Sequence, residues 1–114
     1  MSYPVYFVNA FAAGLTYGNS AAVVIVESFP DAVRMQALAS EFGFSETAFV
    51  AKFSAEKYHI RWFTPEVEVA LCGHATLASA KVLFCKGYAE GAELSFASMS
   101  GELICHRQGD KIEL

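Results

Sequence analysis

Residues 73–85 read Gly-His-Ala-Thr-Leu-Ala-Ser-Ala-Lys-Val-Leu-Phe-Cys, a helix-length run whose apolar positions occupy nearly the whole circumference. Ala75, Leu77, Ala78, Ala80, Val82, Leu83, Phe84 and Cys85 leave no wet face of ordinary width, so this helix has to be enclosed. The small residues Ala75, Ala78, Ser79 and Ala80 would let strands approach closely. A strongly curved, barrel-like and mostly antiparallel sheet wrapped around the helix is therefore expected, and the fold class is α+β.

The rest of the chain supplies the strands. Residues 5–9 and 21–26 look like strands, the second a continuous Ala/Val/Ile run of the kind buried on both faces. Gly14, Gly18 and Asn19 mark turns between them. Asp31 after Pro30 can cap a helix with apolar positions Val33, Met35, Leu38, Ala39 and Phe42, ended by Gly43; its polar residues Arg34, Gln36 and Glu41 put it on the outside. Residues 46–51, 58–63 and 67–70 read as further strands, Gly87 closes the second helix, and alternating segments follow at 93–97, 102–106 and from 111 onward. No linker, repeat or low-complexity tract interrupts the pattern, so residues 1–114 form one domain with one core.

Composition narrows the function. A net charge of −4 without a Lys/Arg cluster argues against nucleic acid, whose phosphates require concentrated positive charge. Apolar stretches too short to span a bilayer, and a start lacking the pattern of a secretion signal, argue against a membrane. Cys72, Cys85 and Cys105 are odd in number and sit in apolar contexts, which suits reduced thiols in the cytoplasm. Only 18% of the residues are charged against 54% hydrophobic, so an apolar face is expected to remain for a partner, most economically a second copy.

The chemistry concentrates where residues 63–80 pass from a strand through Cys-Gly-His into the apolar helix. A helix start carries free N–H groups and the positive end of the dipole, and Gly73 would let an anion approach without a side chain in the way. A small carboxylated molecule is the natural occupant. His74 could hydrogen-bond it or orient a carboxylate; the plainer reading is a half-buried histidine capping the helix. Glu46 shares a strand face with Ala48 and Val50. It is either an ordinary surface residue or an acid that apolar surroundings tune for proton transfer. Cys72 is either a small buried residue or a thiolate favoured by the helix start. Cys72 and His74 supply too few ligands for a metal, and Cys85, Cys105 and His106 show no spacing that completes a site. Gly18-Asn19-Ser20 could bind oxygen atoms or simply form a turn. Arg61 and Lys81 could pair with an acidic ligand, although solvated or snorkelling roles explain them as well.

Taken together, these segments resemble the N-terminal half of the phenazine-biosynthesis PhzF-like family, which shares the diaminopimelate-epimerase type of fold. The matching pieces are Asn9-Ala10-Phe11, Gly18-Asn19-Ser20-Ala21-Ala22-Val23, Met35-Gln36-Ala37-Leu38-Ala39, Ser45-Glu46-Thr47-Ala48-Phe49-Val50, Arg61-Trp62-Phe63-Thr64-Pro65 and Leu71-Cys72-Gly73-His74-Ala75-Thr76. Ser20 stands where the family commonly has proline. The resemblance implies two similar halves, each a curved sheet around a central helix, with the active site in the cleft between them. It also implies that Glu46 is the acid/base of an allylic isomerisation of a small cyclic amino acid, with Gly73 and His74 binding substrate, and neither cofactor nor metal required. These 114 residues account for one such half, either a fragment or a self-sufficient lobe that pairs as a homodimer. The alternative is a catalytically silent module that retains small-carboxylate binding.

Overall fold

The computed structural model describes residues 3–9, 20–109 and 111–114. In chain order the elements are β1 (Val5–Asn9), β2 (Ser20–Val26), α1 (Ala32–Phe42), β3 (Glu46–Ser54), β4 (Lys57–Phe63), β5 (Glu68–Val69), α2 (Gly73–Cys85), β6 (Glu93–Ser98), β7 (Gly101–Gln108) and β8 (Lys111–Glu113). They form one sheet in the order β1-β2-β3-β4-β6-β7-β8, with the short β5 added on β4.

The expected α+β class and predominantly antiparallel sheet are observed, with two exceptions to the strand direction. Five pairings are antiparallel, whereas β2 with β3 and β4 with β6 run parallel. Parallel neighbours need a long crossover, usually helical. α1 supplies the first and α2 the second.

The two helices lie against opposite faces of the sheet. Side chains of a strand alternate in direction, so β2 sends Ala21 and Val23 to the core around α2 but Val24 and Val26 to the core beneath α1. β3 divides in the same way, with Ala48 and Val50 toward α2 and Phe49 and Ala51 toward α1. The near-total burial of residues 21–24 follows from this double packing. α2 touches β2 and β3 and also both edge strands, β1 and β8, so the sheet curls around it as a half-barrel. The enclosure inferred from its composition holds except along one narrow stripe, where His74, Lys81 and Cys85 are exposed and Leu77 is half-buried.

α1 is bounded as its sequence predicts. Asp31 accepts a hydrogen bond from the Arg34 N–H at 2.8 Å, and Gly43 adopts a left-handed φ of 71° while its N–H reaches the Ala39 carbonyl. Such a cap contributes about 1 kcal/mol. α1 buries Met35 and Ala39, but Val33 projects outward and is 81% exposed. The strand expected at 67–70 is cut to two residues because the Thr64 hydroxyl accepts the N–H groups of Glu66 and Val67, closing a turn that consumes its beginning.

Candidate functional site

The start of α2 is fixed by a chain of buried hydrogen bonds. Trp62, on the inward face of β4 and 1% exposed, donates its indole N–H to Thr76 Oγ1 at 3.0 Å. Thr76 in turn donates its hydroxyl to the Cys72 carbonyl at 2.7 Å, and its backbone N–H reaches the same oxygen. The first helical turn is thereby held to the middle of the sheet. Sequence reasoning missed this link, although the inward parity of Trp62 and the four-residue spacing of Cys72 and Thr76 signal it.

Cys72 is the N-cap residue, and no side-chain hydrogen bond caps the helix. The Cys72 thiol stands beside the N–H groups of Ala75 and His74, at the positive end of the dipole. Among the described residues, a methyl group added at Gly73 would come within 4.0 Å of the Leu114 side chain. His74 is exposed at the second position of the helix and does not occupy the capping position.

Glu46 opens β3 as an interior strand residue, opposite Ala21 of β2 and on the α2 side with Ala48 and Val50. It is half-buried rather than a surface residue, and its Oε1 is fully buried with no hydrogen-bond partner among the described residues. Leaving a buried polar atom unpaired costs about 1–3 kcal/mol, more where it carries charge. The neighbouring Thr47 also has a buried, unpaired hydroxyl, but strand parity sends it toward α1.

The Glu46 carboxylate is close enough to act electrostatically on Cys72. Burial pushes the Cys72 thiol above its ordinary range, outweighing the downward pull of the Ala75 and His74 N–H groups, and the Glu46 charge adds to the rise. Of the two readings of Cys72, the small buried residue and the thiolate, desolvation favours the first. Cys72 stays a protonated, half-buried wall of the site.

The other candidates separate cleanly. Ser20 begins β2, half-buried and one residue from the partner of Glu46, while Gly18 and Asn19 lie outside the described residues. Arg61 is committed to Glu68 through two bonds of 2.8 and 2.7 Å and lies over the rings of Phe29 and Phe63, so it is engaged structurally. Lys81 lies eight residues beyond Gly73, about 12 Å along the axis, and lines a groove with Tyr6 and Lys86. Among the described residues no group of three or more His, Cys, Asp or Glu side chains is placed to hold a metal, and no helix is long and apolar enough to cross a membrane.

A half-buried acid is thus brought beside the thiol at the start of α2, the electrostatic link running from Glu46 to Cys72. The sequence model of the phenazine biosynthesis-like protein family (PhzC-PhzF) matches residues 8–113, and the chain belongs to that family. It is 46% identical to an uncharacterized isomerase of Pseudomonas aeruginosa, covering 100% of this chain and 44% of that protein. It is 45% identical to the mouse phenazine biosynthesis-like domain-containing protein 2, covering 100% of this chain and 42% of that one. Its backbone superposes on the crystal structure of an Enterococcus faecalis PhzF-family protein with a TM-score of 0.89 at 46% identity, over 98% of this chain and 43% of that one. The chain thus spans less than half the length of these relatives.

Proposed function

We propose that this lobe carries the acid/base half of a cofactor-independent isomerase or epimerase acting on a small carboxylated metabolite, such as a cyclic amino acid. The observation that carries the reading is the buried, unpaired Oε1 of Glu46 on the α2 side of the sheet, beside Cys72 at the helix start. An oxygen held away from water without a partner is poised for a ligand that brings a proton. The carboxylate of the ligand would sit on the N–H groups at Gly73, with His74 as a second contact and with Ser20 and Cys72 forming the walls.

In the proposed reaction Glu46 takes a proton from one carbon of the bound metabolite and returns it to another, so that a single carboxylate serves both steps. No net proton is consumed. The isomerase description of the Pseudomonas relative supports this class of reaction. The three cysteines are all free, which fits a reducing cytoplasm.

The test is proton exchange. Incubated in deuterated water with candidate cyclic amino acids, the protein should introduce deuterium at carbon, detectable by NMR, and Glu46→Gln should abolish it. Saturable carboxylate binding without exchange would instead identify a silent binding module. Exchange that persists in Glu46→Gln would remove the role assigned to this residue.

A further inference from the structure

The four backbone N–H groups that open α2 are not equivalent. That of Thr76 bonds the Cys72 carbonyl, and those of His74 and Ala75 stand beside the Cys72 thiol. The Gly73 N–H has no hydrogen-bond partner among the described residues. It belongs to the same peptide unit as the Cys72 carbonyl. In a trans peptide these two groups point in opposite directions, so whatever fixes the carbonyl also aims the N–H.

The carbonyl is fixed twice. It accepts the Thr76 N–H at 3.1 Å and the Thr76 hydroxyl at 2.7 Å, both from inside the helix, which directs the Gly73 N–H back along the axis and out of the helix start. Two donors on one carbonyl also draw electron density from its peptide nitrogen and strengthen the N–H as a donor. Trp62 sets the direction of the hydroxyl. An indole N–H can only donate, so Thr76 Oγ1 must accept it and place its own proton elsewhere, on the Cys72 carbonyl. A hydroxyl bonded four residues back is common in helices, and Ser79 makes such a bond to the Ala75 carbonyl at 2.7 Å. Ser79 receives no indole donor among the described residues, and the N–H that shares a peptide with the Ala75 carbonyl is that of Thr76, already spent on Cys72.

We propose that Thr76, with Trp62 behind it, is a positioning residue that aims and strengthens the Gly73 N–H as the donor for a ligand carboxylate. Both side chains are buried, at 0% and 1% exposure, so they act on the ligand through the Cys72–Gly73 peptide. This rests on the site reading above and extends it to two residues of the core.

Two-dimensional NMR of the isotope-labelled chain, free and titrated with acetate, tests this on three variants. Thr76→Val keeps the shape and removes the hydroxyl, Thr76→Ser keeps the hydroxyl, and Ser79→Ala removes the comparable bond one turn on. In the free protein the Gly73 amide proton should move upfield in Thr76→Val, as a less polarised N–H does, and hold its position in the other two. Acetate should bind Thr76→Val about 10-fold more weakly than the wild type, the scale of one hydrogen bond to a charged group, and bind Thr76→Ser and Ser79→Ala as the wild type does. An unmoved Gly73 signal in folded Thr76→Val overturns the proposal, as does an equal displacement in Thr76→Ser or Ser79→Ala. If Thr76→Val does not fold, Trp62→Phe, which removes the indole donor and keeps a ring, should displace Gly73 in the same direction, and no displacement overturns the proposal. The two readings fail separately. A Gly73 signal that follows the hydroxyl in a protein that binds no acetate leaves the positioning role standing and removes the carboxylate site, and acetate binding indifferent to the hydroxyl does the reverse.

Discussion

The two ends of α2 are built on opposite principles. At the C-terminal end polar groups are paired: the Lys86 N–H reaches the Val82 carbonyl, the Ala89 N–H reaches the Leu83 carbonyl, and the chain turns through Gly87 at a φ of 82°. Tyr88 shares a 3.0 Å hydroxyl contact with Tyr6, and its carbonyl accepts the Tyr58 hydroxyl. At the N-terminal end no side-chain hydrogen bond caps the helix, Glu46 keeps a buried oxygen unpaired and apolar side chains stand in water. One helix thus has an end completed by its own fold and an end where, among the described residues, a buried polar atom stays unpaired and apolar side chains stay exposed. Unsatisfied polar atoms and exposed apolar surface are both costly, and their coincidence locates function better than either does alone.

Substitutions can break this contrast, and the largest effect is expected at the open end. Glu46→Gln should lower proton exchange roughly 100- to 10,000-fold, the usual contribution of one acid/base group, while the thermal midpoint stays essentially unchanged. Equal losses of stability and exchange would make Glu46 a structural residue. Next is Trp62→Ala, which removes a fully buried ring and the hold on Thr76; it should cost about 3–5 kcal/mol in denaturant unfolding. A cost below about 1 kcal/mol would show that the first turn of α2 does not depend on β4.

At the closed end the effects are smaller. Tyr88→Phe removes one hydroxyl contact and should cost about 0.5–1.5 kcal/mol. Tyr88 is pushed up to about 12, first by its bond to Tyr6 and then by burial, and burial pushes the Cys105 thiol up to about 11. Both are neutral when protonated, and both folded values lie above the ordinary ones. The stability they contribute is therefore complete below about pH 9 and is lost as pH rises through about 11 and about 12. Tyr88→Phe should make this alkaline decline shallower, and an unchanged profile would separate Tyr88 from it. Smallest of all, Gly73→Ala should change stability by less than about 0.5 kcal/mol, since among the described residues its methyl meets Leu114 at no less than 4.0 Å, yet weaken carboxylate binding measurably by calorimetry.

What was legible in the sequence follows the same division. Helix α1 could be bounded from Asp31 and Gly43 because caps are local, and α2 from its Cys-Gly-His entry and the glycine beyond its end. The two-sided burial of residues 21–24 was legible as an unbroken apolar run. The parallel pairings were not, since direction depends on which strand a crossover returns to rather than on any residue within the strands. At the site, strand parity put Glu46 on the correct face, but its orphaned oxygen depends on packing by elements distant in sequence. For Cys72 the local rule pointed one way and burial the other, because desolvation is a property of the assembled core. Arg61 looked available until Glu68, seven residues on, was brought beside it by the β4–β5 pairing.

The central claim, that ligand chemistry belongs to the N-terminal end of α2, can be tested most directly by mapping backbone amide shifts in a two-dimensional NMR titration with a small cyclic amino acid. The account predicts saturable shifts at Gly73, His74, Ala75 and Glu46 and none around Tyr6, Lys86 and Tyr88. Shifts confined to the tyrosine end, with the amides of residues 73–75 unmoved at saturation, would contradict it.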